Sequence, residues 1–136
     1  MNMKKYEILE HKADLKIRAF GKDKKELFSN ALLGMSESMK AEVKDAGVKR
    51  KITVKSIDLP ALLVDFLSEA LYLSQTHKEA YFNAKFSEFT DTKIEAVLVG
   101  QKVEKFGEDL KAVTHHDLNI SRKNDKLWEA TILFDI

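Results

Sequence analysis

With 136 residues, 44% of them hydrophobic and 33% charged, the chain is long enough for one domain with a substantial core and a heavily charged surface. The 23 Lys and Arg residues against 22 Asp and Glu leave a formal net charge of +1, so no strong overall field draws a polyanion and a purely electrostatic RNA binder is disfavoured. The absence of cysteine excludes disulfides, thiolate nucleophiles and Cys-ligated zinc.

The first residues, Met1-Asn2-Met3-Lys4-Lys5-Tyr6, hold no apolar stretch of the export type, and a cytoplasmic location is expected. Lys4 to Glu10 reads as a strand with Tyr6 and Ile8 on one side. His11-Lys12-Ala13-Asp14 breaks the pattern. Leu15 to Phe20 alternates again, with Leu15, Ile17 and Ala19 inward. Gly21 ends that strand. Asp23 followed by Glu26 resembles a capping box, and Leu27, Phe28, Ala31, Leu32, Met35 and Met39 then recur at helical spacing. Gly34 in that helix suits close packing. Ala41 to Gly47 reads as a polar connection. Val48 to Ile57 reads as a strand with Arg50, Ile52, Val54 and Ser56 on one face and Lys49, Lys51, Thr53 and Lys55 on the other.

The longest apolar run follows, Asp58 through Leu73. Asp58 suits a helix cap and Pro60 the first turn, where a missing N–H costs little. Its polar residues Asp65, Ser68, Glu69 and Tyr72 fall on one stripe, so the helix is expected to be buried over most of its circumference. It is too short and too polar to cross a membrane. Thr76 to Glu79 reads as a loop, and Ala80 to Phe89 as a strand carrying Phe82, Ala84 and Phe86. Asp91-Thr92 is a turn and Lys93 to Val99 the returning strand. Gly100 and Gly107 flank a connecting segment. Leu110 to Ile120 reads as one or two strands, and Asn124-Asp125 as a hairpin turn. Trp128, Ala130, Ile132, Phe134 and Ile136 then alternate. Two helices and about seven strands, with a run of strands at the end, predict an α+β single-domain two-layer fold over residues 1–136. A mostly antiparallel sheet packs against the two helices.

No nucleotide-binding glycine loop, HExxH or EF-hand loop is present. Three segments carry candidate chemistry. Glu10-His11-Lys12-Ala13-Asp14 places a carboxylate and an imidazole on a connection between strands, although Asp favours turns in any case. Lys111 to Asp117 contains His115 and His116, which a regular strand would point to opposite faces. At Phe134-Asp135-Ile136, the apolar alternation running through Ile136 suggests a docked end. That would hold the Asp135 side chain and an α-carboxylate together, a pairing a hard divalent cation compensates. Asp65 and Glu69 read as a solvated stripe. Lys49, Lys51 and Lys55 read as a sheet edge defended by lysine rather than as a strip for RNA or an acidic partner.

Taken together these segments resemble the archease family, and the resemblance runs through essentially the whole chain. His11-Lys12-Ala13-Asp14 is similar to the family's His-Thr-Ala-Asp. Asp58-Leu59 through Leu71-Tyr72-Leu73 resembles its Leu-Leu-Val-Asp-Phe-Leu helix. Lys111 to His116 resembles its Lys-Ala-Val-Thr-Tyr-His strand, and Asp135-Ile136 matches its ending. The resemblance implies a non-enzymatic accessory protein of tRNA splicing. Such a protein activates the RNA-splicing ligase by promoting guanylylation of its active-site histidine by GTP, and allows repeated turnover. It also implies a divalent cation, calcium foremost with magnesium or manganese as alternatives, held by Asp14, Asp135 and Ile136. Lys111 falls on a lysine linked to activation of the partner, and His11 and His116 are candidate outer groups around the ion. Here Lys12 replaces Thr, His115 replaces Tyr and Asp117 stands where Gly is frequent. Two other readings remain open: a chaperone-like modulator of tRNA-modifying enzymes such as a methyltransferase, and a stand-alone metal-dependent hydrolase.

Overall fold

The computed structural model describes residues 4–10 and 13–136. The chain runs β1 (Tyr6–Glu10), β2 (Asp14–Gly21), α1 (Lys24–Ser38), β3 (Ala41–Lys55), α2 (Leu59–His77), β4 (Glu79–Phe89), β5 (Lys93–Phe106), β6 (Ala112–Asn124) and β7 (Leu127–Asp135). Every strand pairing is antiparallel. The architecture is α+β as the element order predicts, but the strands divide into two sheets, ordered β1-β2-β7-β6 and β3-β5-β4.

Both helices begin where their capping residues stand. The Asp23 carboxylate accepts from the Glu26 N–H at 2.8 Å, and Glu26 accepts from the Lys22 N–H at 3.1 Å. Asp58 accepts from the Ala61 N–H at 2.9 Å, with Pro60 in the first turn. Gly34 lies so close to Tyr6 that an added Cβ would stand 3.0 Å from its ring, so β1 and α1 approach closely here. Burial of Leu62, Leu63, Val64, Phe66, Leu67, Ala70 and Leu71 bears out the buried circumference of α2, and its stripe of Asp65 and Tyr72 is exposed. Phe28, Phe66, Phe86 and Phe89 close a ring of four aromatic contacts, with centroids 5.0–5.9 Å apart. Two of the contacts are edge-to-face, and the ring ties α1, α2 and β4 together.

Several elements differ from expectation. Ala41 to Gly47 is no connection but the first half of β3, laddered to β5 through Ala41↔Phe106 and Val43↔Val103, with an irregular register from Glu42 to Gly47. The segment from Gly100 belongs to β5 in the same way. Both halves project as an edge wetted on most sides, so no apolar alternation marks them. Gly100 is there because β4 crosses close by: an added Cβ would fall 1.8 Å from the Ala80 carbonyl oxygen. α2 extends to His77 and is stopped by Lys78, which takes a left-handed conformation at φ 54° and donates its N–H to the Ser74 carbonyl. In β4, bulges between Tyr81 and Asn83 and between Phe86 and Glu88 break the period of two, so Tyr81 rather than Phe82 is fully buried. The β6–β7 turn falls at Asp125-Lys126, one residue later than expected.

Glu79, read as loop, is 1% exposed. Arg50 donates to both its carboxylate oxygens at 2.8 and 2.9 Å, and the Tyr81 hydroxyl donates at 2.7 Å. The Arg50 bond holds the Glu79 carboxyl below its usual range despite burial. Burial, and then the bond to Glu79, pushes the Tyr81 phenol up.

Candidate metal centre

β7 is an inner strand, with β2 on one side and β6 on the other. Because both neighbours run antiparallel to it, their first residues meet its last. Asp14, which opens β2, is the register partner of Asp135, and Ala112, which opens β6, faces Asp135 from the other side. The Lys111 N–H donates to the Asp135 carbonyl at 2.8 Å. Three segments far apart in sequence thus converge on one strand end.

The same register fixes the faces. Phe134 is buried and opposes Leu15 and Val113 on the core side, so its neighbour Asp135 shares the outer face with Asp14 and Ala112. Side chains directly opposite on one face have Cβ atoms about 4.5–5.5 Å apart, and like charges so placed repel. Asp14 is half-buried and Asp135 exposed. The small Ala112 crowds Asp135 little, and Lys16 and Thr114 flank Leu133 one rung inward on this face. Lys16 was no candidate in the sequence: only the register puts its charge beside the aspartates.

This donor set fits a hard divalent cation. It is made of carboxylate oxygens, and it juxtaposes negative charge that a cation relieves. Among the described residues no three His, Cys, Asp or Glu side chains group as metal ligands, so two side-chain carboxylates need a main-chain oxygen to complete a set. Ile136 follows Asp135 directly and can supply it. Its side chain, however, is 52% exposed and β7 ends at Asp135, so the expected apolar docking of Ile136 does not occur. A final apolar residue with no facing strand has nothing to pack against.

The histidines fare differently. His11 and Lys12 lie outside the described residues. β6 takes the five steps from Thr114 to Asn119 while β7 takes two, from Leu133 to Thr131, so residues 115–118 form a wide bulge with Asp117 left-handed at φ 56°. The regular strand geometry on which the opposite-faces reading of His115 and His116 depends is therefore absent here. His116 is exposed and bonds locally: its N–H donates to Thr114 Oγ1 at 3.1 Å, and Nε2 lies 3.6 Å from Asp117 Oδ2. None of these contacts reaches Asp14 or Asp135. The Lys111 side chain is exposed beside the tip.

Comparison with known proteins bears on the whole of this arrangement. Residues 6–136 match the archease protein family (MTH1598/TM1083). The chain is 36% identical to protein archease of Methanosarcina barkeri, over 98% of this chain and 97% of that one, and 33% identical to protein archease of Thermococcus kodakarensis, over 98% and 100%. The solution structure of Methanobacterium thermoautotrophicum protein 1598 superposes with a TM-score of 0.69 at 28% identity, covering 98% of this chain and 100% of that one. A Thermotoga maritima crystal structure, described as an archease and possible chaperone, gives a TM-score of 0.71 at 20% identity. It covers 100% of this chain and 99% of that one, and bears on the fold alone. The chain belongs to the archease protein family.

Proposed function

We propose that this protein is a non-enzymatic accessory factor of tRNA splicing. It activates an RNA-splicing ligase by promoting guanylylation with GTP and repeated turnover, through an ion-binding tip at Asp14, Asp135 and Ile136. The observation that supports this reading most directly is the cross-strand pairing of Asp14 with Asp135, with Lys111 bonded to the same residue. A bound calcium, or magnesium or manganese in its place, supplies positive charge where the two carboxylates meet. The protein's own residues do the rest. Strand pairing orients both carboxylates to one side, the Lys111 N–H fixes the Asp135 main chain, and the Lys111 ammonium stands exposed for a partner's acidic or phosphate groups. A stand-alone metal-dependent hydrolase would draw its nucleophile from metal-bound water, so that reading requires turnover by the isolated protein, and the accessory reading requires none.

A chaperone-like role toward tRNA-modifying enzymes is the second reading, motivated by the Thermotoga maritima description. It calls for a broad apolar surface, whereas the exposed large apolar residues among those described, Ile8, Val43, Ile57, Tyr72 and Ile136, sit on separate segments. No described helix is long and apolar enough to cross a membrane, and a cytoplasmic setting remains part of the proposal. The test is guanylylation of the cognate ligase with and without this protein, using wild type, Asp14→Ala, Asp135→Ala and a one-residue C-terminal extension. Stimulation by wild type and its loss in all three is expected. Unchanged stimulation by all three overturns the tip, and no stimulation by wild type overturns the function.

A further inference from the structure

Lys16 stands on the outer face of β2 between Asp14 and Arg18, with Leu9 of β1 on one side and Leu133 of β7 on the other. Arg18 holds Glu7 at 3.1 Å and lies 3.7 Å from Glu129, so the acids at that end of the face are engaged. The acids at the other end are Asp14, about 6.7 Å along the strand, and Asp135, about 7–8 Å away on the diagonal. Leu133 is only 3% exposed although it lies on the outward face, so the side chains that flank it, Lys16 and Thr114, must cover it. Lys16 is itself half-buried. A lysine so placed lays its stem along apolar surface and keeps its ammonium in water.

Unpaired lysines are ordinary on this surface, and what sets Lys16 apart is its rung. Among the described residues it is the only basic side chain in the two rungs Asp14–Asp135–Ala112 and Leu9–Lys16–Leu133–Thr114. Edge defence does not account for it, because β2 is an inner strand paired on both sides. Cover for Leu133 does not require charge either, since an uncharged stem of similar length covers a leucine as well. What the charge does is act on the aspartates. An ammonium at this range relieves part of their mutual repulsion while no ion is bound, and it repels a doubly charged ion that enters between them.

We propose that Lys16 is a tethered competitor of the divalent cation at the meeting of Asp14 and Asp135, setting the affinity of the tip for its ion without ligating it. The inference rests on the ion-binding reading of the tip and adds a residue that opposes the ion to those that hold it. Carboxylates facing such a lysine bind their ion more loosely and exchange it more readily than the same carboxylates unopposed.

The test is isothermal titration calorimetry of calcium chloride into the chelator-treated protein at low ionic strength. Lys16→Gln keeps most of the stem and removes the charge, and is expected to lower the Kd about fivefold, as a single charge against a double one at this range in screened water implies. Lys16→Arg keeps the charge and is expected to stay within about twofold of wild type. Lys126→Gln removes the same charge from the β6–β7 turn, about 30 Å along β7 from Asp135, and is expected to leave the Kd unchanged. In about 1 M potassium chloride, where charges are screened beyond about 3 Å, the advantage of Lys16→Gln is expected to vanish. Equal Kd for wild type and Lys16→Gln, weaker binding by Lys16→Gln, equal tightening in Lys126→Gln, or an advantage that survives high salt overturns the proposal and leaves the tip standing. No calcium binding by any of the four proteins overturns the tip itself, and the proposal with it.

Discussion

On the outer face of the four-stranded sheet, Arg18 lies between Glu7 and Glu129, and Lys123 reaches Glu129 as well, so positive charge is matched until the strands arrive at Lys16 and the rung of Asp14 and Asp135. On the outer face of the three-stranded sheet the matched group is Lys93 with its two glutamates, while Lys51 and Lys85 stand either side of Val97 with no acid across the strand. Both faces are built from the same alternation of core-facing apolar and solvent-facing charged residues. What differs is register, which decides whether a charge meets its opposite, its like or nothing across the strand. A near-neutral chain thereby acquires one acidic tip, while lysines on the edge strands of the other sheet stay solvated.

The largest expected effect separates the two surfaces outright. Asp135→Ala is expected to lower stimulation of ligase guanylylation about 10- to 100-fold, the range typical of damage to a metal site. Lys51→Gln/Lys85→Gln is expected to leave it unchanged, and a guanylylation assay on both variants checks the pair. A swap of these outcomes would break the comparison.

Next comes the sheet interior beneath the lysines. Glu79→Gln strips the carboxylate from Arg50 and is expected to cost about 3 kcal/mol, read from urea unfolding. The Glu79 carboxyl is held low in the folded state, so the pair's contribution is complete above the ordinary glutamate range and is lost as acid protonates the folded carboxyl. Tyr81 behaves oppositely. Burial pushes its phenol up, and pushes that of Tyr6 up to about 12, so their contribution is complete below about pH 10 and is lost as alkali ionises them. Stability measured against pH in Glu79→Gln is expected to have a weaker acid limb than wild type.

Smaller effects sharpen the contrast between matched and unmatched charge. Arg18→Ala removes a half-buried stem and two ion pairs, and is expected to cost about 1 kcal/mol. Lys51→Gln/Lys85→Gln is expected to change stability by less than about 0.5 kcal/mol. At the tip, Asp14→Asn/Asp135→Asn is expected to change stability in chelator by less than about 0.5 kcal/mol. It is also expected to abolish the gain of about 2.7 kcal/mol that a cation at 100 times its Kd gives wild type, read as the shift in thermal unfolding on adding calcium.

Much of this was legible in the sequence where local chemistry acts alone. Asp23 with Glu26, and Asp58 with Pro60, mark both helix starts, and the polar stripe through Asp65 and Tyr72 marks the wet side of α2. The alternation at Ile17 and Ala19, and at Ala130, Ile132 and Phe134, marks the two strands that carry Asp14 and Asp135. Other features depend on distant partners. The division into two sheets, the outer halves of β3 and β5, and the bulges that bury Tyr81 and displace His115 and His116 leave no period in the residues themselves. Arg50 and Glu79 are 29 residues apart, and nothing near either one announces the pair.

The inner position of β7 also sets a timetable for folding. Because a ribosome releases residues 127–135 after everything they pair with, β2 waits with an open edge through most of synthesis, and β6 emerges only just before the strand that joins them. The helices and the three-stranded sheet, whose residues emerge earlier, can assemble in the meantime. The four-stranded sheet closes in a single late step, and the same step creates the meeting of Asp14 with Asp135. A nascent chain stalled before that strand would be exposed to edge-to-edge association, while lacking any means of gripping an ion.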